Sequence, residues 1–155
     1  MCGIYGFIGK PTNYNKVLEI VESLGIESEI RGIHATGYYG LNGEPIYAKA
    51  PIKASHFFKT EDWKKLYNNN ELSILVGHNR WATNGDPKNN ENNHPFFTGR
   101  FGFVHNGTVG NVGKKDKENT KQFKMDDLDI TCRSECDSER IFRYFLKRFY
   151  NRFIV

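Results

Sequence analysis

The chain has few of the features that would assign it to a membrane, a secreted scaffold or a nucleic acid. Three cysteines, an odd number, argue against a disulfide framework. No apolar run approaches the ~20 residues of a membrane span, and no apolar segment opens the chain as a signal peptide would. A soluble, cytoplasmic protein is therefore expected. Cys132 and Cys136 stand four apart with no histidine nearby in sequence, too little for a zinc site, so no metal and no cofactor is expected. The formal charge is only +4. The nearest thing to a basic stripe with interleaved aromatics is Arg140, Arg143, Lys147, Arg148 and Arg152 beside Phe142, Tyr144 and Phe149. It reads as one face of a helix rather than a nucleic-acid surface. There is no internal repeat, and 155 residues with 38% hydrophobic content suffice for one core.

The patterning predicts irregularly alternating strands and helices, hence an α/β or α+β class. Cys2 to Ile8 reads as a strand with glycines at Gly3 and Gly6. Asn13 or Asn15 can cap a helix with Val17, Leu18, Val21 and Leu24 on its apolar face, ending near Gly25. Tyr38 to Leu41 and Pro45 to Ala50 form a hairpin about Asn42-Gly43. Ser73 to His78 is a buried strand that leads into a loop over Asn79 to Pro87, and Arg100 to Val104 is a further strand. Gly110 to Lys124, nearly devoid of apolar residues, is expected to be an exposed loop. Ser138 to Tyr150 carries Ile141, Phe142, Phe145, Leu146 and Phe149 at helical spacing.

Cys2 is the most telling residue. Removal of Met1 would place a thiol and a free α-amine on one residue, a nucleophile that carries its own base. An α-amine has a pKa of about 8, so it can accept a proton near neutrality, and terminal amines are established activators of nucleophiles. Attack on a carbonyl would need donors for the oxyanion. Asn106-Gly107 offers a side-chain amide and an unobstructed backbone N–H, although Asn-Gly is equally a favoured hairpin turn. Arg80 can grip a carboxylate with two parallel hydrogen bonds. Trp81 can cover a site, or the pair can be a surface arginine beside a core tryptophan. Asp137 can receive an ammonium or simply start a helix. A ligand with a carboxylate, an ammonium and a side-chain amide is an amino-acid amide such as glutamine.

The segments Cys2-Gly3-Ile4-Tyr5-Gly6, Arg31-Gly32 with Gly37, Gly77-His78-Asn79-Arg80-Trp81-Ala82-Thr83-Asn84-Gly85, Asn93-His94-Pro95, Val104-His105-Asn106-Gly107 and Ser134-Glu135 with Asp137 and Glu139 occur in this order. Together they resemble the glutaminase domain of the class II glutamine amidotransferases, which are N-terminal nucleophile hydrolases. The resemblance implies an αββα four-layer sandwich of antiparallel sheets. It implies a Cys2 nucleophile with its α-amine as base, and an oxyanion hole at Asn106 and Gly107. Arg80 would bind the α-carboxylate, Thr83 would line the pocket, Asp137 would bind the α-ammonium, and Trp81 would sit on a loop that closes over glutamine. The products would be glutamate and ammonia, the latter passed to an acceptor such as a sugar phosphate on a partner subunit or a second copy.

The family loop Arg-Gly-x-Asp-Ser-x-Gly reads Arg31-Gly32-Ile33-His34-Ala35-Thr36-Gly37, with His34 in place of the acid, and Asn84 replaces a common histidine. Residues 1–155 are expected to form a single amidotransferase domain, shortened at its C-terminal end and without a synthase domain. The alternatives are a catalytically degenerate module of the same family that acts through a partner, or an N-terminal-cysteine hydrolase for another amide. The pairing of Arg80 with Asp137 argues against the last of these.

Overall fold

A computed structural model describes residues 1–68, 72–108 and 131–153, the side chains of 151–153 excepted; the expected loop at Gly110 to Lys124 lies outside the described residues. The fold mixes helices with antiparallel sheet, an α+β arrangement. Strand β1 (Gly3–Ile8) is followed by helix α1 (Tyr14–Glu27), which Asn13 caps by accepting from the Lys16 N–H at 3.0 Å. The helix outruns the expectation from Gly25: this residue is buried inside the last turn, and Ser28 supplies the C-cap. The buried stripe is Leu18, Val21 and Gly25, whereas Leu24 is exposed, because positions 18, 21 and 25 share one face at 3.6 residues per turn.

A short 3-10 turn (Ser28–Arg31) leads to the hairpin of β2 (Ala35–Asn42) and β3 (Glu44–Ala50), with Gly43 at φ +69° between them. Two short helices, α2 (Ala54–Phe57) and α3 (Glu61–Lys64), precede β4 (Ile74–Arg80). The four-stranded sheet runs β1-β4-β2-β3 with every neighbouring pair antiparallel. Both β2 and β4 are longer than the sequence suggests. Ala35 pairs with Arg80, and Asn79 pairs with Gly3 on one side and Thr36 on the other. Residues 35–37 and 79–80, expected as loop, are ladder residues instead. The glycines at 32 and 37 and the polar side chains of Asn79 and Arg80 obscure this in the sequence. Asn79 is nonetheless engaged through both ends of its amide, accepting from the Tyr5 hydroxyl at 3.0 Å and donating to the Gly25 carbonyl at 2.7 Å.

Successive residues on a strand face opposite sides of the sheet. Tyr38 enters the main core with Leu18, Val21, Phe57, Phe58 and Trp63, so α1, α2 and α3 cover its face. Tyr39, also buried, points the other way and meets a second sheet formed by β5 (Phe96–Thr98) and β6 (Phe101–Phe103). Gly102 of β6 lies so close to the Tyr39 ring that a side chain there would overlap it. Helix α4 (Asp137–Phe153) packs Phe142 and Leu146 on the small sheet, where they join Phe96, Phe101 and Phe103. Strand β5 has no counterpart among the sequence expectations; Phe96-Phe97-Thr98 is too short to show an alternation. No helix among the described residues is long and apolar enough to cross a membrane.

Candidate functional site

The site forms where β1 begins and β4 ends. Gly3 pairs with Asn79, so the register brings Cys2 against the backbone that follows Arg80. Cys2 is buried at 8% exposure. Its sulfur accepts from the Trp81 N–H at 3.4 Å and lies 3.7 Å from the Trp81 carbonyl, toward which the thiol can donate. The Cys2 carbonyl accepts from Arg31 Nε at 2.9 Å. Gly32 allows this 3-10 turn to approach: a Cβ there would stand 2.5 Å from the Arg80 carbonyl carbon. The Cys2 backbone nitrogen, an amide with Met1 in place, donates to Asn106 Oδ1 at 3.0 Å.

The Asn106 segment is fastened from two sides. His78 Nε2 stands 3.1 Å from the His105 carbonyl. A carbonyl only accepts, so His78 carries its proton there. Burial pushes the His78 pKa down to about 4 and drives that of its neighbour His94, whose ring is tilted against it with centroids 4.1 Å apart, well below the ordinary histidine value. Both rings are neutral. The His105 ring folds back over Gly107, and its Nδ1 lies 3.0 Å from the Ser138 hydroxyl in the first turn of α4. The Ser138 hydroxyl is 3.5 Å from Asp137 Oδ1. A connected path therefore runs from Asp137 through Ser138 and His105 to Asn106 and Cys2.

Arg80 is buried at 2% exposure. One terminal nitrogen donates to Asn93 Oδ1 at 2.8 Å, and the other donates to the carbonyls of Asn84 and Gly85. Its guanidinium thus anchors the loop that carries Thr83, which is exposed. Asn93 in turn donates to Pro87 at 2.8 Å, and Asn92 joins the loop to Glu135 through the Asp86 carbonyl. Burial pushes the Cys136 thiol up, while hydrogen bonding with Ser138 and, after it, the Arg80 charge pull it back. Trp81 is exposed, and its ring lies over His34 with centroids 4.9 Å apart.

Among the sequence-selected residues, the structure joins Cys2 directly to Asn106 and to the Trp81 backbone, with Gly107 adjoining. Asp137 is linked only through Ser138 and His105, and Arg80 and Thr83 lie on the flanking strand end and loop. The roles of Arg31, His34, His78, Asn93, His105 and Ser138 were missed. All of them stand within or beside the segments that carry the family resemblance, but their roles come from register rather than residue type. A separate cleft of about 450 Å³ is lined by Tyr47, Lys49, Glu91, Phe96, Arg133 and Glu139, and Cys2 is not among its lining residues. Among the described residues no group of three or more histidine, cysteine or acidic side chains could hold a metal ion.

No family model matches the chain. Curated relatives are nevertheless clear. The chain is 36% identical over 147 residues to glutamine–fructose-6-phosphate aminotransferase (isomerizing) of Staphylococcus epidermidis, covering 91% of this chain and 21% of the relative. The same enzyme of Geobacillus kaustophilus is 34% identical over 149 residues, with 91% and 21% covered. That of Aquifex aeolicus is 33% identical over 152 residues, with 96% and 23% covered. The resemblance to glutamine amidotransferases is borne out: over about nine tenths of its length the chain is homologous to these aminotransferases, and it spans about a fifth of theirs.

Proposed function

We propose that this chain is a glutaminase module of a class II glutamine amidotransferase, releasing glutamate and ammonia from glutamine. The observation that carries the reading is the 3.0 Å contact between the Cys2 nitrogen and Asn106 Oδ1, which sets the first thiol of the chain beside an Asn-Gly pair. Once Met1 is removed, that nitrogen is the α-amine. It takes the thiol proton as the sulfur attacks the glutamine Cδ carbonyl. The oxyanion is met by the Asn106 side-chain amide and the Gly107 N–H. The amine returns the proton to the departing ammonia, leaving a γ-glutamyl thioester. A water, deprotonated by the same amine, attacks the thioester, and glutamate and the free thiol are restored.

Arg80 receives the α-carboxylate by exchanging its contact with the Asn84 and Gly85 carbonyls for the ligand, with Thr83 lining the pocket. Asp137 receives the α-ammonium, and Trp81 covers the bound amino acid. Residues 1–155 serve as a single domain of the N-terminal nucleophile hydrolase type. Its four-layer αββα sandwich is supported by the helices on one face of the large sheet and by the small sheet and α4 beyond Tyr39. The ammonia passes to an acceptor such as a sugar phosphate on a partner subunit or another copy. The work is done in the cytoplasm, where the thiol stays reduced.

The test combines intact mass with a glutamate-release assay. Loss of the Met1 mass together with turnover that Cys2→Ala abolishes would support the reading. Retained Met1 without turnover would favour the second reading, a degenerate module that acts through a partner. The engagement of Arg80 by the Asn84 and Gly85 carbonyls is the observation that favours this alternative.

A further inference from the structure

His34 grips the two peptide planes on either side of Trp81. Its backbone N–H donates to the Arg80 carbonyl at 3.0 Å, and its ring Nδ1 accepts from the Ala82 N–H at 2.9 Å. In a trans peptide the N–H and C=O point in opposite directions. The Arg80–Trp81 plane therefore offers its carbonyl to His34 and its N–H to Cys2 Sγ. The Trp81–Ala82 plane offers its N–H to His34 and its carbonyl toward the same sulfur. His34 and Cys2 face each other across one turn of backbone, and the Trp81 indole lies on the imidazole.

We propose that His34 is a positioning residue for the Cys2 nucleophile: its unprotonated Nδ1 holds the Trp81–Ala82 peptide in the orientation that frames the sulfur, and protonation of the ring releases it. The inference rests on the reading of Cys2 as the nucleophile. The backbone half of the grip survives any substitution at position 34, whereas the Nδ1 half exists only while that nitrogen bears a lone pair. A protonated ring turns the contact into two opposed N–H groups. The ionisable groups on the elements around the ring are engaged elsewhere. Arg31 holds the Cys2 carbonyl, Glu29 accepts from the Ser55 N–H and lies 4.0 Å from Lys53, and Arg80 is turned to Asn93, Asn84 and Gly85. Cys2 itself lies beyond the Trp81 backbone.

Two variants of the full chain separate acceptor from stack. His34→Asn places an amide oxygen where Nδ1 stands and accepts at every pH, whereas His34→Phe keeps a ring on Trp81 but cannot accept. The first readout is amide exchange at Ala82 by NMR, referenced to Tyr39 within the paired strands, and it needs no turnover. In the parent chain, Ala82 protection should fall about tenfold, the value of one ordinary hydrogen bond, as the ring takes up a proton. It should stay high in His34→Asn and be about tenfold lower throughout in His34→Phe. The second readout is the pH profile of kcat/KM for glutamine: the Cys2 α-amine gives both proteins an acid limb, and the parent's should fall more steeply at low pH than that of His34→Asn. Equal Ala82 protection in parent and His34→Phe, or an unchanged acid limb in His34→Asn, would overturn the proposal. Should His34→Phe not fold, the parent and His34→Asn decide alone. Ala82 protection that follows the expectation while no variant turns over glutamine would sink the glutaminase reading and leave the His34 grip standing.

Discussion

At the scale of single residues, the Arg80 guanidinium anchors the Asn84–Gly85 loop, and under the proposed function it also offers charge to a ligand carboxylate. Loss of a charge-assisted contact costs about 1.5–3 kcal/mol, so Arg80→Ala should raise KM for glutamine by roughly ten- to a hundredfold. Steady-state kinetics check this, and an unchanged KM would remove Arg80 from the ligand. The sequence makes Cys2, Asn106 and Arg80 legible because thiol, amide and guanidinium announce their chemistry by type. It leaves His78 and His105 mute. Their work consists of holding one carbonyl and one hydroxyl in place, and nothing in an imidazole's spacing along the chain says which groups it will meet. His34 stands out in the sequence only as a replaced acid, and its role as an acceptor follows from the pairing of β2 with β4.

At the scale of elements, the strand ends carry the weakest sequence signal. The apolar pattern stops at His78, yet β4 continues through Asn79 and Arg80 because β1 and β2 pair with it on both sides. Hydrogen bonds to two neighbours override the poor strand propensity of asparagine. Helix α4, by contrast, is legible to within a few residues, because five apolar side chains at helical spacing have no strand counterpart. The two sheets meet at Gly102 and Tyr39 with no room to spare. Gly102→Val would force a branched side chain into the Tyr39 ring, and overpacking of this kind costs about 1–3 kcal/mol. A lower urea midpoint with an unchanged slope is the expected result. Ile30→Ala, at a residue 90% exposed, should change stability by less than about 0.5 kcal/mol.

Over the whole molecule, the buried pair of neutral histidines between the layers ties stability to pH. In the unfolded chain a histidine titrates at about 6.5, whereas burial holds His78 near 4 and His94 below its ordinary range. Below about pH 6.5 the unfolded chain therefore binds protons that the folded chain refuses. Their contribution is complete above that pH and is lost as the pH falls toward the folded value. At pH 5 the loss from His78 alone is about 2 kcal/mol, and His94 adds to it in the same direction. Urea denaturation at pH 7.5 and pH 5 should show this difference, and His78→Asn should flatten it.

The pairing of Gly3 with Asn79 carries one more implication. Side chains on a strand alternate between faces, so a slip of β1 by a single position would swing the thiol to the reverse side of the sheet. Core packing could partly survive such a shift, and a spectroscopic measure of folding could miss it. Turnover could not survive it. Catalytic output from this chain would therefore serve as a gauge of strand alignment, sensitive to an error of one residue at its leading end.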